Sequence, residues 1–375
     1  MSATTTDAFV GAADNGSLVV RPAAGHAVLV DGVDFGALVA RLEAAERRAA
    51  ASACRVVADA RSLPAPPPAC TGVLGGNGKI YGIPYTSDAV YVFDPATGAL
   101  DATTMAGLGT GEKWLGGTLA PNGKIYGTPR DAAAVLVVDP ATNTTDVTAL
   151  LVPAGEDKWT MGVLASNGRI YCVPYTAASV LIIDPTANTT DFTTMTGLSG
   201  GGQWSGGVLA ANGKIYGIPA LASSVLVVDP ATNTVGTLAI NNPTRSLGRE
   251  AWFHGVLAGN NKIYAVPLNA NAVLIIDPAT NATDDQAIVV GTGIQKWTGG
   301  VVAAGSGKIF AMPATAQAAL VIDPATNKTE LITVSSAASP AVMWRSAVQA
   351  SNGVIYGIPW NADHILRLYR DCEGL

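Results

Sequence analysis

The chain has 375 residues, 49% of them apolar and only 13% charged, with 42 Gly, 22 Pro and a formal net charge of -6. Its glycines recur at turns between apolar runs instead of every third residue, which excludes collagen and disorder, and its acidic balance gives no footprint for nucleic acid. No apolar run is long enough to span a bilayer, and MSATTTDAFVGAADNGS lacks the basic and apolar regions of a secretory signal, so no membrane partner and a cytoplasmic location are expected.

The first 62 residues stand outside any repeat. Residues 15–32 carry two β-prone runs, Leu18 to Arg21 and Ala27 to Val30, around a Pro-Ala-Ala-Gly turn, which predicts a hairpin. Residues 34–50 change period. Phe35, Leu38, Val39, Leu42 and Ala45 fall three and four apart behind Asp34, predicting an amphipathic helix whose stripe meets either the rest of the fold or a second copy in a homo-oligomer. Residues 1–52 are therefore assigned to a hairpin and helix. Residues 53–62 return to strand character and are expected to supply the closing outer strand of a domain spanning 53–372. That closure would bring Cys54 close to Cys372, although the four cysteines, with Cys70 and Cys172, are too few for a disulfide scaffold.

From residue 71 onward one phrase, Asn-Gly-Lys-Ile-Tyr or a near variant, recurs seven times, placing an aromatic at Tyr81, Tyr126, Tyr171, Tyr216, Tyr264, Phe310 and Tyr356. A proline follows three positions later in each copy, from Pro84 to Pro359. Seven repeats of several short strands each predict an all-β fold, a seven-bladed β-propeller with one blade per repeat. Asn-Gly predicts a tight turn in which both residues accept positive φ. The Asp-Pro phrases at Asp94, Asp139, Asp184, Asp229, Asp277 and Asp323 predict a second hairpin closed by the Asp side chain, in preference to a calcium site.

Before the inner strand stand Trp114, Trp159, Trp204, Trp252, Trp297 and Trp344. They read either as wedges between blades or as a ring of stacking platforms for sugars, and a symmetric fold that must fill the same gap repeatedly favours wedges. Through the N-G-x-I-Y and V-x-V-x-D-P phrases, residues 71–371 resemble the broad superfamily of YVTN, NHL and virginiamycin-lyase-like β-propellers. The resemblance implies blade architecture, in a superfamily that holds enzymes, carbohydrate binders and interaction modules.

Function is expected where copies break the consensus on the face bearing the inner-strand entrances and the loops between second and third strands. Blade five has an enlarged entrance, NNPTRSLGREAWFHG, with Arg249, Glu250, Trp252, Phe253 and His254. Blade seven offers Arg345, Trp360 and His364, blade two Arg130, and blades one and three Tyr85 and Tyr175. His254, His364 and Glu250 are the candidate catalytic groups, because imidazole and carboxylate move protons near neutral pH. Arg130, Arg249, Arg345, Trp252, Phe253, Trp360, Tyr85 and Tyr175 are the candidate ligand contacts. No phosphate loop, zinc spacing or Gly-x-Ser-x-Gly elbow appears, so no cofactor or metal is assigned. The leading expectation is binding of a small molecule or carbohydrate at the channel mouth. A protein-interaction or oligomeric scaffold using residues 34–50 is the first alternative, and a metal-independent lyase, hydrolase or isomerase the second.

Overall fold

Each Asn-Gly phrase turns the inner strand of a sheet back onto the second strand, and the Asp-Pro phrase turns the third onto the outer one. In the fourth copy Trp204–Leu209, Ile215–Pro219, Ser224–Asp229 and Thr234–Ala239 pair in that order, all antiparallel. The computed structural model describes residues 8–12, 18–22, 29–30, 33–34, 55–59, 66–198, 201–240, 249–334 and 343–371. Among them are seven four-stranded sheets of this kind. Their inner strands, from Ala69–Leu74 through Trp344–Gln349, pack each against the next, and the last returns to the first. That closed cycle is a seven-bladed β-propeller.

Six sheets take all four strands from one repeat, while the seventh has the order Trp344–Gln349, Ile355–Pro359, Leu366–Asp371, Arg55–Asp59. The chain divides into two compact units, one comprising Met1–Val56 and Arg370–Leu375, the other Val57–Tyr369. In the first, Leu18–Pro22 pairs with Ala8–Ala12 and Leu29–Val30 pairs with Val33–Asp34. The hairpin expected between Leu18 to Arg21 and Ala27 to Val30 runs through residues 23–28, which lie outside the described residues. The helix expected at 34–50 and the Cys54 and Cys372 pair lie outside the described residues.

The second strand is buried at every position in all seven blades, which explains its run of apolar and small residues. The Asn-Gly turn differs from expectation. Only the glycine takes positive φ, as in Gly123 at 80°, and the asparagine acts through its side chain. Asn122 Oδ1 accepts from the Lys124 amide at 3.1 Å, and its Nδ2 donates to the Tyr126 hydroxyl at 2.9 Å. The same Asn–Tyr bond occurs in blades one, three, four, five and seven. Blade six has Ser306 and Phe310, losing both halves of the pair together.

The six tryptophans are wedges. None is more than 5% exposed, and each indole N–H donates to the carbonyl that opens the third strand of its own blade, as Trp252 does to Ala272 at 2.8 Å. Truncating a side chain packed in this way costs roughly 3–5 kcal/mol. The lysines before three of them also hold the frame. Lys158 Nζ donates to Ala132 O and Gly155 O, and Lys296 Nζ to Ala270 O and Gly293 O, stitching each entrance to the preceding blade. Burial lowers the Lys296 ammonium to about 8.

Candidate functional site

A register break follows the tryptophan in the inner strands of blades two to five and seven, Ala69 in blade one and Thr298 in blade six, so one or two residues there leave the ladder. Such bulges re-aim side chains and recur beside active sites. In blade one the break lies between Ala69 and Thr71 and frees Cys70. Blade seven breaks between Trp344 and Ser346 and frees Arg345, while blade five breaks between Trp252 and Gly255 and frees Phe253 and His254.

His254 occupies a position that glycine holds in the blades on either side. Gly206 and Gly299 have φ of 85° and 36°, and His254 has φ of 60°. A histidine in the left-handed region costs on the order of 1 kcal/mol or more, which is characteristic of functional positions. Gly206 also makes room for it, since a Cβ there would stand 3.2 Å from His254 Cδ2. The His254 ring stacks on Phe253 with centroids 4.4 Å apart. It is 8% exposed, and its Nε2 is a buried nitrogen with no hydrogen-bond partner among the described residues. Burial, and after it the charge of Arg345, lowers the imidazole to about 3, so the ring is neutral near pH 7.

Arg345 lies 4.9 Å from the Phe253 ring and 4.4 Å from the Trp360 ring. Trp360 in turn packs against Tyr85 with centroids 4.6 Å apart, and Cys70 and Leu115 complete an apolar cluster with them. Among the described residues no carboxylate is ion-paired with Arg345. Arg130 is held differently. It pairs with Glu112 at 2.8 Å and with Asp157, and it lies 5.0 Å from the Tyr85 ring. The Tyr85 hydroxyl donates to Glu112 as well. Burial, followed by the neighbouring Asp131 and Asp157 carboxylates, raises the Glu112 carboxyl.

Glu250 accepts a 2.6 Å hydrogen bond from the Tyr175 hydroxyl, from blade three to the entrance of blade five. Burial and then the Glu250 charge push the Tyr175 phenol well above its ordinary range, so it remains a hydrogen-bond donor. Arg345, Arg130, Glu112 and Glu250 all act electrostatically on the buried Cys70 thiol, which burial raises. These groups therefore converge on one end of the channel.

Of the residues selected from sequence, Tyr85, Arg130, Tyr175, Glu250, Phe253, His254, Arg345 and Trp360 contribute to this mouth. Trp252 does not, being fully buried in the core between blades four and five. Arg249 is exposed and forms no ion pair among the described residues. His364 pairs with Asp363 and meets Trp344 edge-on, with centroids 5.3 Å apart. Cys70, Glu112 and Asp157 were not singled out as site residues. Cys70 had one detectable signal: it is the only cysteine at the position after the inner-strand tryptophan or its equivalent. Among the described residues no three His, Cys, Asp or Glu side chains cluster as a metal site.

No protein-family model matches the chain, and no curated protein matches it in sequence. Solved structures do match it in fold. A streptogramin B lyase superposes with a TM-score of 0.67 at 11% identity, over 85% of this chain and 98% of the lyase. A catalytically inactive histidine-to-alanine variant of virginiamycin B lyase from Staphylococcus aureus, with quinupristin, gives 0.68 at 11% identity over 84% and 99%. Hydrazine synthase from Kuenenia stuttgartiensis gives 0.60 at 11% identity over 83% and 96%. In fold, the chain is a seven-bladed β-propeller related to virginiamycin and streptogramin B lyase-like proteins.

Proposed function

We propose that the mouth is an acid–base site of lyase type, acting on a small anionic or hydroxylated molecule. His254 is its base. The observation that carries this reading is the strained, buried imidazole stacked on Phe253 beside the Arg345 guanidinium, with Nε2 left without a partner among the described residues. A neutral imidazole accepts a proton, and an adjacent arginine stabilises negative charge as it develops on a carbonyl oxygen.

In the proposed step Nε2 removes a proton from the carbon beside that carbonyl. The C–H electron pair becomes the new carbon–carbon double bond as the bond to the leaving oxygen breaks. That oxygen keeps the bond pair and recovers the proton from the imidazolium, returning His254 to neutrality. Glu250 does not orient His254 in this scheme; it holds Tyr175 at the rim. Lyases share this fold, and a histidine-to-alanine variant of one of them is inactive, which supports seeking the base among the histidines.

The test uses carbonyl compounds with an ester or ether oxygen one carbon beyond the acidic C–H, following the conjugated double bond by absorbance and the released fragment by mass spectrometry. Turnover by the native protein and a loss of about 100-fold or more in His254→Gln is the expected result. Binding without turnover by every member of the panel would make the mouth a binding site instead. The burial of Nε2 is the specific observation that favours that second reading.

A further inference from the structure

We infer that Arg345 is the receptor for a monocarboxylate carried on an apolar body, and that this carboxylate defines the class of molecule entering the mouth. The inference deepens the acid–base reading of the same site and rests on it for the reaction, though not for binding.

The argument begins with guanidinium geometry. Arginine offers a flat cation whose faces suit aromatic rings and whose in-plane N–H groups suit a carboxylate edge. In Arg345 two rings, Phe253 and Trp360, occupy the cation–aromatic role. Its in-plane donors have no hydrogen-bond acceptor among the described residues. Two carboxylates of the mouth are already engaged, Glu112 by Tyr85 and Arg130 and Glu250 by Tyr175. A ligand can supply the acceptor that the protein withholds.

The surroundings select what else that ligand carries. Trp360 stands half-buried next to Arg345, backed by the buried Tyr85, Leu115 and Cys70, and its exposed part suits a hydrocarbon or ring attached to the carboxylate. Charge selects a monoanion. Arg130 is already taken by Glu112 and Asp157, and Lys158 lies near Asp131 and donates to backbone carbonyls, so the cation offered beside Phe253 and Trp360 is Arg345, which matches a monoanion better than a dianion such as phosphate. A single carboxylate needs only one arginine. Its arrival would also offset the positive charge beside His254, favouring protonation of that imidazole when substrate is present.

The experiment is calorimetric titration of the full-length protein with phenylacetate and benzoate, with phenylacetamide and benzamide as neutral counterparts, and with inorganic phosphate. The carboxylates are expected to bind, the amides about tenfold or more weakly, and phosphate to give no saturable heat. Arg345→Gln should lose at least about tenfold in carboxylate affinity, Arg345→Lys part of that, and Arg249→Gln nothing. Trp360→Leu, with the arginine kept, gives a second variant in case Arg345→Gln fails to fold, and should weaken carboxylate and amide together.

Equal affinity for carboxylate and amide, an unaffected Arg345→Gln, or no carboxylate binding by the native protein would each overturn the inference. Failure of the reaction is read separately. Carboxylate binding that survives in His254→Gln, with no turnover in the native protein, sinks the lyase and leaves this inference standing. Turnover confined to uncharged substrates does the reverse.

Discussion

The two arginines of the mouth differ in what surrounds them more than in where they stand. Arg130 is neutralised twice over, by Glu112 and Asp157, and the Tyr85 hydroxyl closes the same network. Arg345 is held by two aromatic faces and by no carboxylate among the described residues. The first arrangement satisfies a charge within the protein and makes a wall. The second fixes a charge in place while leaving its hydrogen-bonding edge unused, which is the preorganisation that a binding or catalytic group requires. Residue type alone does not distinguish them.

The largest effect that would sharpen this contrast concerns His254, on the Arg345 side. Its folded imidazole lies near 3, against about 6.5 unfolded. The unfolded chain therefore binds an extra proton between those values. That contribution to stability is fully present above pH 6.5 and is lost as pH falls toward 3, at up to roughly 1.4 kcal/mol per pH unit. Urea melts across this window should show the slope in the native protein and a shallower one in His254→Gln. Parallel slopes would mean that the imidazole is not held neutral beside Arg345.

Next in size is Arg130→Met. It leaves Glu112 and Asp157 close together without their shared cation, and both carboxylates are partly exposed, which limits the penalty. A loss of about 1–2 kcal/mol in urea is expected, shrinking below pH 4 as the carboxylates protonate. Smaller again is Tyr175→Phe, which removes one hydrogen bond to Glu250 and should cost about 1 kcal/mol. Because that bond links blade three to blade five, the variant should also expose the rim of blade five to faster amide exchange.

The frame was legible from sequence because its signals are repeated and local. Blade number, the second strand and the turn aspartates each recur at fixed spacing, and Asp139 Oδ1 accepts from the Ala141 amide at 3.0 Å just as Asp229 Oδ1 does from Ala231. Blade six makes the same point by exception, losing asparagine and tyrosine hydroxyl together at Ser306 and Phe310. The Asn-Gly turn was misread at the asparagine, whose side chain, not its backbone, does the structural task.

The mouth was only half legible. Breaks in the repeat pointed to Arg345, Phe253 and His254, but equally to Arg249, which is exposed, and to His364, which pairs with Asp363. Tyr175 and Glu250 are 75 residues apart, and whether they touch depends on the rotation from blade to blade, which no local pattern encodes. Nor does sequence reveal that His254 adopts a glycine-like backbone; that emerges only when its φ is set beside those of Gly206 and Gly299.

The smallest expected effect is the most discriminating. Arg345→Met removes a charge but no ion pair among the described residues, and its methionine can keep contact with Phe253 and Trp360 through a flexible apolar chain. Loss of the cation–aromatic contacts costs about 0.5–1 kcal/mol at a partly exposed site, and relief of the repulsion that Arg345 imposes on a protonated His254 offsets part of it in acid. Stability at neutral pH should therefore change by no more than about 1 kcal/mol, with little salt dependence because no exposed ion pair is broken. A penalty as large as that of Arg130→Met would show that Arg345 is structurally committed after all. A small one, accompanied by loss of carboxylate affinity, would assign its charge to the ligand.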